Sequence, residues 1–221
     1  MTPLATLAAA LAFTLLWLAW KTLQATAARK TTRAAYFNDI SAIFDSVTTR
    51  IEPTGLPRMA GKLGPYAFDI QSVQDSLTFR KLPALWVMLT LPAPMPVKAT
   101  LDIMARPTGQ EPFSHFARLP QSLPAPAPLS DDIAIRSDNA AEVPPLAAIA
   151  PHLALFADPK VKELVISPKG LRLVILAEEA ERGRYLIFRE AELGKTPLER
   201  KHLIPLIDAL LALRQSLIEA T

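Results

Sequence analysis

Apolar residues open the chain without interruption. From Thr2 to Trp20 no side chain carries a charge, and apolar positions surround the whole helical circumference rather than forming one stripe. At a rise of about 1.5 Å per residue this run spans roughly 28 Å, close to the ~30 Å hydrocarbon thickness of a bilayer. Trp17 and Trp20 stand at its end, where indoles favour the headgroup layer, and Lys21 follows at once with a stem able to snorkel outward. The pattern predicts one transmembrane helix with a basic flank, residues 1–30. Lys21, Arg29, Lys30 and Arg33 are four positive charges ahead of the first acid, Asp39. Under the positive-inside rule they hold the flank, and everything after it, in the cytoplasm. They also suit anionic membrane lipid. The rival reading is a signal peptide: Ala25-Thr26-Ala27 has the small-x-small form of a cleavage site, which would make the rest an exported protein. Against it, Met1-Thr2-Pro3 lacks a basic n-region, and the apolar run is long for an h-region.

The pattern then changes period. Tyr36, Phe37, Ile40, Ile43, Phe44, Val47 and Ile51 recur at spacings of three and four, predicting an amphipathic connecting helix within residues 31–55. Pro53 and Gly55 end it, and "TGLPRMAGKLGPY" reads as paired turns leading into the first strand. Residues 66–73 and 77–82 read as strands. "ALWVMLTL", Ala84–Leu91, reads as a strand buried on both faces, and "ATLDIMAR" as a half-buried one. Residues 107–131 read as loop, because "LPQSLPAPAPLSDD" carries proline at nearly every second position of its middle and cannot be a central strand.

The last third is more regular. A short strand at 133–135 precedes "VPPLAAIAPHLALFA", a helix bent at Pro151. "KELVISPKGLRLVIL" is a hairpin turning at Ser167-Pro168-Lys169-Gly170. "RYLIFRE" reads as a further strand, with Leu186 and Phe188 opposite Tyr185 and Ile187. Thr196-Pro197-Leu198-Glu199 has the form of a capping box with proline at the first helical position. The helix it opens should run to about Glu219, with Leu203, Leu206, Ile207, Leu210, Leu213 and Leu217 inward and Pro205 inside it. The predicted fold is therefore α+β, a mainly antiparallel sheet with packed helices behind an N-terminal transmembrane helix. The globular part covers residues 56–221, either as sub-lobes 56–106 and 132–221 joined by the proline strap or as one continuous sheet.

Composition narrows the function classes. The chain has 221 residues with no cysteine, so disulfides and thiolate chemistry are excluded. The net charge of +3 resides in the juxtamembrane flank, so no basic field argues for nucleic acid. Abundant Ala, Leu, Pro and Arg suggest a GC-rich bacterial source. The histidines His115, His152 and His202 show no metal-ligand spacing, and Ser114 beside His115 lies outside any G-x-S-x-G elbow. No catalytic, metal or cofactor residue is predicted. The glycines and Lys62 of "TGLPRMAGKLGPY" fail the P-loop pattern, since five residues separate Gly55 from Gly61 and Leu63 replaces the hydroxyl residue. What remains there is a looser anion or partner contact through Arg58 and Lys62, with a second through Arg80 and Lys81 near Trp86. The expected function is a single-pass interaction or scaffold domain at the inner membrane. Its expected partners are membrane lipid, through the helix, and a protein. The alternative is a lipid or apolar-ligand binder with a cavity between sheet and C-terminal helix.

Overall fold

The structure is a computed structural model, and it describes residues 3–76, 82–126, 129, 132–189 and 191–220. The first helix, α1, runs from Pro3 to Ala34, 32 residues, and its apolar part is exposed all round. Among the described residues one helix is thus long and apolar enough to cross a membrane. Its last residues are docked. The Arg33 guanidinium donates to the Leu193 carbonyl (3.2 Å) and to the Thr54 carbonyl (3.4 Å). Tyr36 and Phe37 are buried immediately beyond.

Among the described residues nine strands form a single sheet: β1 (Ser46–Ile51), β2 (Pro57–Leu63), β3 (Tyr66–Asp75), β4 (Ala84–Leu91), β5 (Leu101–Ala105), β6 (Gln121–Leu123), β7 (Ile133–Ser137), β8 (Val161–Ser167) and β9 (Gly170–Glu179). Their order is β1-β2-β3-β4-β9-β8-β5-β7-β6, with every pair antiparallel. The fold is α+β, as the pattern predicts. The two halves interleave instead of forming lobes: β9 pairs with β4 from Ala84↔Glu179 to Leu91↔Leu171, and β5 lies between β8 and β7. The hairpin joining β8 to β9 requires Gly170. Its φ is +143, and a Cβ there would come within 2.2 Å of the Leu91 carbonyl oxygen.

Several local expectations give way. Residues 35–51 do not form one helix: a single turn, α2 (Asn38–Ser41), is followed by β1. The β-branched run Val47, Thr48, Thr49, Ile51 prefers extended backbone, and the Asp45 N–H donates to the Lys62 carbonyl (2.8 Å), which starts the pairing with β2. The paired turns expected at 57–63 are β2 itself. Pro57 sits at the first position of that strand, where a missing N–H is tolerated, and Gly61 leaves room for the Phe44 ring, which a Cβ would approach to 2.6 Å. The "RYLIFRE" strand is instead a helix, α4 (Arg182–Phe188), after α3 (Leu146–Ile149) and a 3-10 stretch, Ala150–Ala157. Short apolar runs do not separate the two periods. The strand expected at 77–82 lies outside the described residues except for Leu82.

The last helix, α5 (Arg200–Glu219), contains Pro205 and buries Leu203, Leu206, Ile207, Leu210, Leu213 and Leu217. Each such side chain contributes about 1.5–3 kcal/mol of burial. The expected capping box does not form. The cap position is Glu199 with no side-chain bond, and the free N–H of Arg200 is taken by the Asp39 carboxylate of α2 at 2.8 Å. Leu198 is buried, and its N–H donates to the Tyr36 carbonyl (2.9 Å). α5 packs on the face of β4 and β9 that carries Leu85, Val87, Leu89, Leu171, Leu173 and Ile175, forming one continuous core with Met59, Phe68, Ile70, Ile103, Leu164 and Ile166.

Candidate functional site

Strand alternation sends the other half of each strand to the face opposite α5. The pairings align one row of residues across that face: Ala60, Asp69, Thr90, Arg172, Val165, Asp102 and Arg136. A parallel row is Arg58, Gln71, Met88, Val174, Glu163 and Met104. A sheet face with three carboxylates and three arginines in these rows is unusual for a core surface and suits a binding face. A groove of about 760 Å³ crosses it, lined among others by Arg58, Asp69, Met88, Asp102, His115 and Arg172.

The loop after β5 folds over this face and walls the groove. Phe113 packs against Trp86 with ring centroids 5.0 Å apart, and Phe116 is buried beneath the Arg136 guanidinium, 5.7 Å from the ring centre. The Ser114 hydroxyl donates to Glu163. On the other side of that loop lies a second recess of about 570 Å³ that includes Trp86, Glu111 and Lys162. Lys162 occupies a bulge, the extra residue between Val161↔Ile175 and Glu163↔Val174. The bulge lets two successive residues of β8, Lys162 and Glu163, both be buried. Lys162 Nζ donates to the carbonyls of Ala105 (2.8 Å) and Arg106 (2.6 Å) and lies 3.2 Å from Glu111. Burial would raise the Glu111 carboxyl, but the Thr108 N–H and hydroxyl, with Lys162 beside them, hold it below the usual carboxylate range.

At the groove floor two carboxyls lie near one guanidinium, and one of them is bonded to it. Arg172 donates to Glu163 at 3.0 Å, and Asp102 stands diagonally across the β5–β8 pair, 2 % exposed. Burial, then the charge of Glu163, pushes the Asp102 carboxyl up to about 8, against the pull of Arg172. Burial also raises Glu163, outweighing Arg172 and Ser114. Both buried carboxyls thus stand above their ordinary range, because burial outweighs the one guanidinium between them. Among the described residues, Asp102 Oδ1 and Arg172 Nε are buried without a hydrogen-bond partner. Such an arrangement can offer an O–H and an N–H donor in a low-dielectric recess.

The residues singled out in the sequence are distributed differently. Arg58 does reach the groove, but as a bidentate partner of Asp69 (2.8 and 2.7 Å), which raises its already high pKa. Lys62 is exposed further along β2 and does not line the groove. Arg80 and Lys81 lie outside the described residues. Trp17 and Trp20 project from α1, with the Lys21 ammonium 6.0 and 5.4 Å from their ring centres. Arg29 and Arg33 help to line a small cavity of about 240 Å³ between α1 and residues 191–195, while Lys30 is exposed. His152 contacts the Ser216 hydroxyl at 2.9 Å on α5, and burial lowers its pKa, so it is a packing residue. Among the described residues no group of three or more His, Asp or Glu is placed to hold a metal ion.

Sequence reasoning missed Asp102, Glu163 and Lys162. Asp102 was legible only as the polar partner of Leu101 and Ile103, and nothing in "VKELVIS" marks a bulge that buries both charges. Comparison with protein-family models, with curated proteins and with solved structures gives no match for this chain.

Proposed function

We propose that the chain is a single-pass, membrane-anchored interaction domain, carried at the inner membrane of a bacterium with its globular part in the cytoplasm. The face of the sheet opposite α5 is its contact surface for a protein partner. One observation carries the reading: α5 covers one face of the sheet with apolar side chains, while the opposite face holds a groove of about 760 Å³ with buried charged groups in its floor. The space between sheet and α5, where an apolar ligand would sit, is occupied by Leu203, Ile207, Leu210 and Leu213, which favours an interaction role over apolar-ligand binding. The basic residues Lys21, Arg29, Lys30 and Arg33 after the apolar run support an anchor that is kept with the domain in the cytoplasm.

The test is site-specific photocrosslinking in intact membranes. A photoreactive residue in place of Met88, in the groove, should give a discrete crosslinked species. The same residue in place of the exposed Asp208 of α5 should not. Equal crosslinking from both sites, or none from Met88, would remove the groove from the account.

A further inference from the structure

Among the described residues of the globular part, α4 presents the most exposed large apolar side chains: Ile187 is 74 % exposed and Leu186 55 %. They are framed by Arg182, Arg184 and Arg189. Soluble domains expose single apolar residues freely, but adjacent ones ringed by arginine form the pattern of a helix lying in a membrane interface.

The position of α4 supplies the second half of the argument. Arg184 bonds Glu192 at 2.9 Å, and Glu192 also holds Lys195. Glu192 and Lys195 line the small cavity whose other wall is α1, at Ala28, Arg29, Thr32 and Arg33. The bond from Lys195, with the nearby charges of Arg184 and Arg29, holds the Glu192 carboxyl below its ordinary range. α4 is thus fastened, through one carboxylate, to the part of the domain that reaches back along α1 as far as Ala28. From Lys21 to Arg29 is eight residues, about 12 Å of helix. The headgroup layer on each side of a bilayer takes up roughly 5–8 Å of that, which leaves about 4–7 Å for α4 and its side chains to cover.

Charge matches the same surface. Among the described residues Arg29, Lys30, Arg33, Arg182, Arg184, Arg189 and Lys195 stand against Glu178, Glu179, Glu181 and Glu192. Of these acids Glu178 is turned inward, accepting the Gly194 N–H at 2.8 Å. We propose that α4 is a second membrane contact, with Leu186 and Ile187 inserted into the interface of the bilayer that α1 spans and the surrounding cations binding anionic phospholipid. The proposal rests on α1 being a membrane span.

The chain has no cysteine, so single labels are straightforward. Full-length protein carrying a fluorophore at Ile187→Cys is reconstituted in phosphatidylcholine vesicles, with or without phosphatidylglycerol, containing nitroxide-labelled lipid. Leu11→Cys in α1 and Asp208→Cys on the outer side of α5 serve as references. The expected result is quenching at Leu11→Cys in both compositions and none at Asp208→Cys. Quenching at Ile187→Cys should increase severalfold with phosphatidylglycerol, and Arg182→Gln with Arg184→Gln should remove that increase. Quenching at Leu11→Cys without any at Ile187→Cys overturns the α4 contact while leaving the span intact. Protection of Ile187→Cys from aqueous iodide without lipid quenching overturns it in favour of a protein cover. No quenching at Leu11→Cys overturns the span and the α4 contact together.

Discussion

The Asp39 carboxylate accepts the backbone N–H of Arg200 at 2.8 Å, across 161 positions of sequence. It places an acidic group at the N-terminus of α5, where the helix has unsatisfied donors and a partial positive charge. Asp39→Ala should destabilise the fold by about 1 kcal/mol, the usual value of an N-cap. Urea unfolding of the domain checks this, and an unchanged midpoint would mean that water replaces Asp39 at no loss.

Leu210 is fully buried on α5 against the sheet. Leu210→Ala should lower stability by about 2–5 kcal/mol through lost burial and a residual cavity. Leu211, one position along and only partly buried, should tolerate the same change with a smaller loss. Equal losses at the two sites would contradict the packing of α5.

Stability should depend on pH through Asp102. Its pKa lies near 8 in the fold against an ordinary value of 3.8, so the folded state binds the extra proton between those limits. Stability contributed by that proton is complete below the ordinary value and is lost progressively as pH rises toward 8. Asp102→Asn, which keeps a neutral polar group in place, should flatten this decline. Denaturant midpoints measured across that pH window provide the check, and a parental slope in the variant would remove Asp102 as its source.

Arg33 joins the end of α1 to the carbonyls of Leu193 and Thr54. Arg33→Ala should speed amide hydrogen exchange at Asn38 and Ile43, which hold the chain just past the docked end, while leaving β4 and β9 protected. Uniform exchange throughout would show that Arg33 supports the whole fold and not the junction.

Topology has its own test. A C-terminal reporter active only in the periplasm should stay silent. Activity of that reporter, or a mature N-terminus at Ala28, would replace the anchored reading with the exported one.

Legibility from sequence followed range of interaction. α5 was legible down to its six buried residues because a twenty-residue stripe repeats one period often enough to fix a face. The β8–β9 hairpin was legible because Pro168 and Gly170 dictate a turn locally. The 35–51 segment misled because Tyr36, Phe37, Ile40 and Phe44 are all buried, as a helix would have them, while the chain has already turned toward β1. The capping box misled because Thr196 is a cap only if nothing nearer serves, and Asp39 does. At the groove, Arg58 was identifiable as a charge in a turn-rich stretch, but its engagement with Asp69 depends on the β2–β3 register. Asp102 and Glu163 lie 61 residues apart in sequence and acquire their chemistry only from burial side by side.

The junction at Ala34 changes what anchoring means here. α1 passes into the domain through docked residues, with Arg33, Tyr36 and Phe37 held by the sheet and its loops. A flexible leash would let the domain sample a hemisphere and gain from any partner within its radius. A stiff mast does not. On the proposed reading of α1 as a span, about 30 Å of its roughly 48 Å would belong to the bilayer crossing, and the groove would be carried at a set height and bearing, sweeping only a ring as the helix spins in the lipid. A partner presenting its own site at another height would then gain nothing from sharing the membrane, and the length of α1 would act as a ruler that selects among neighbours before any side chain is read.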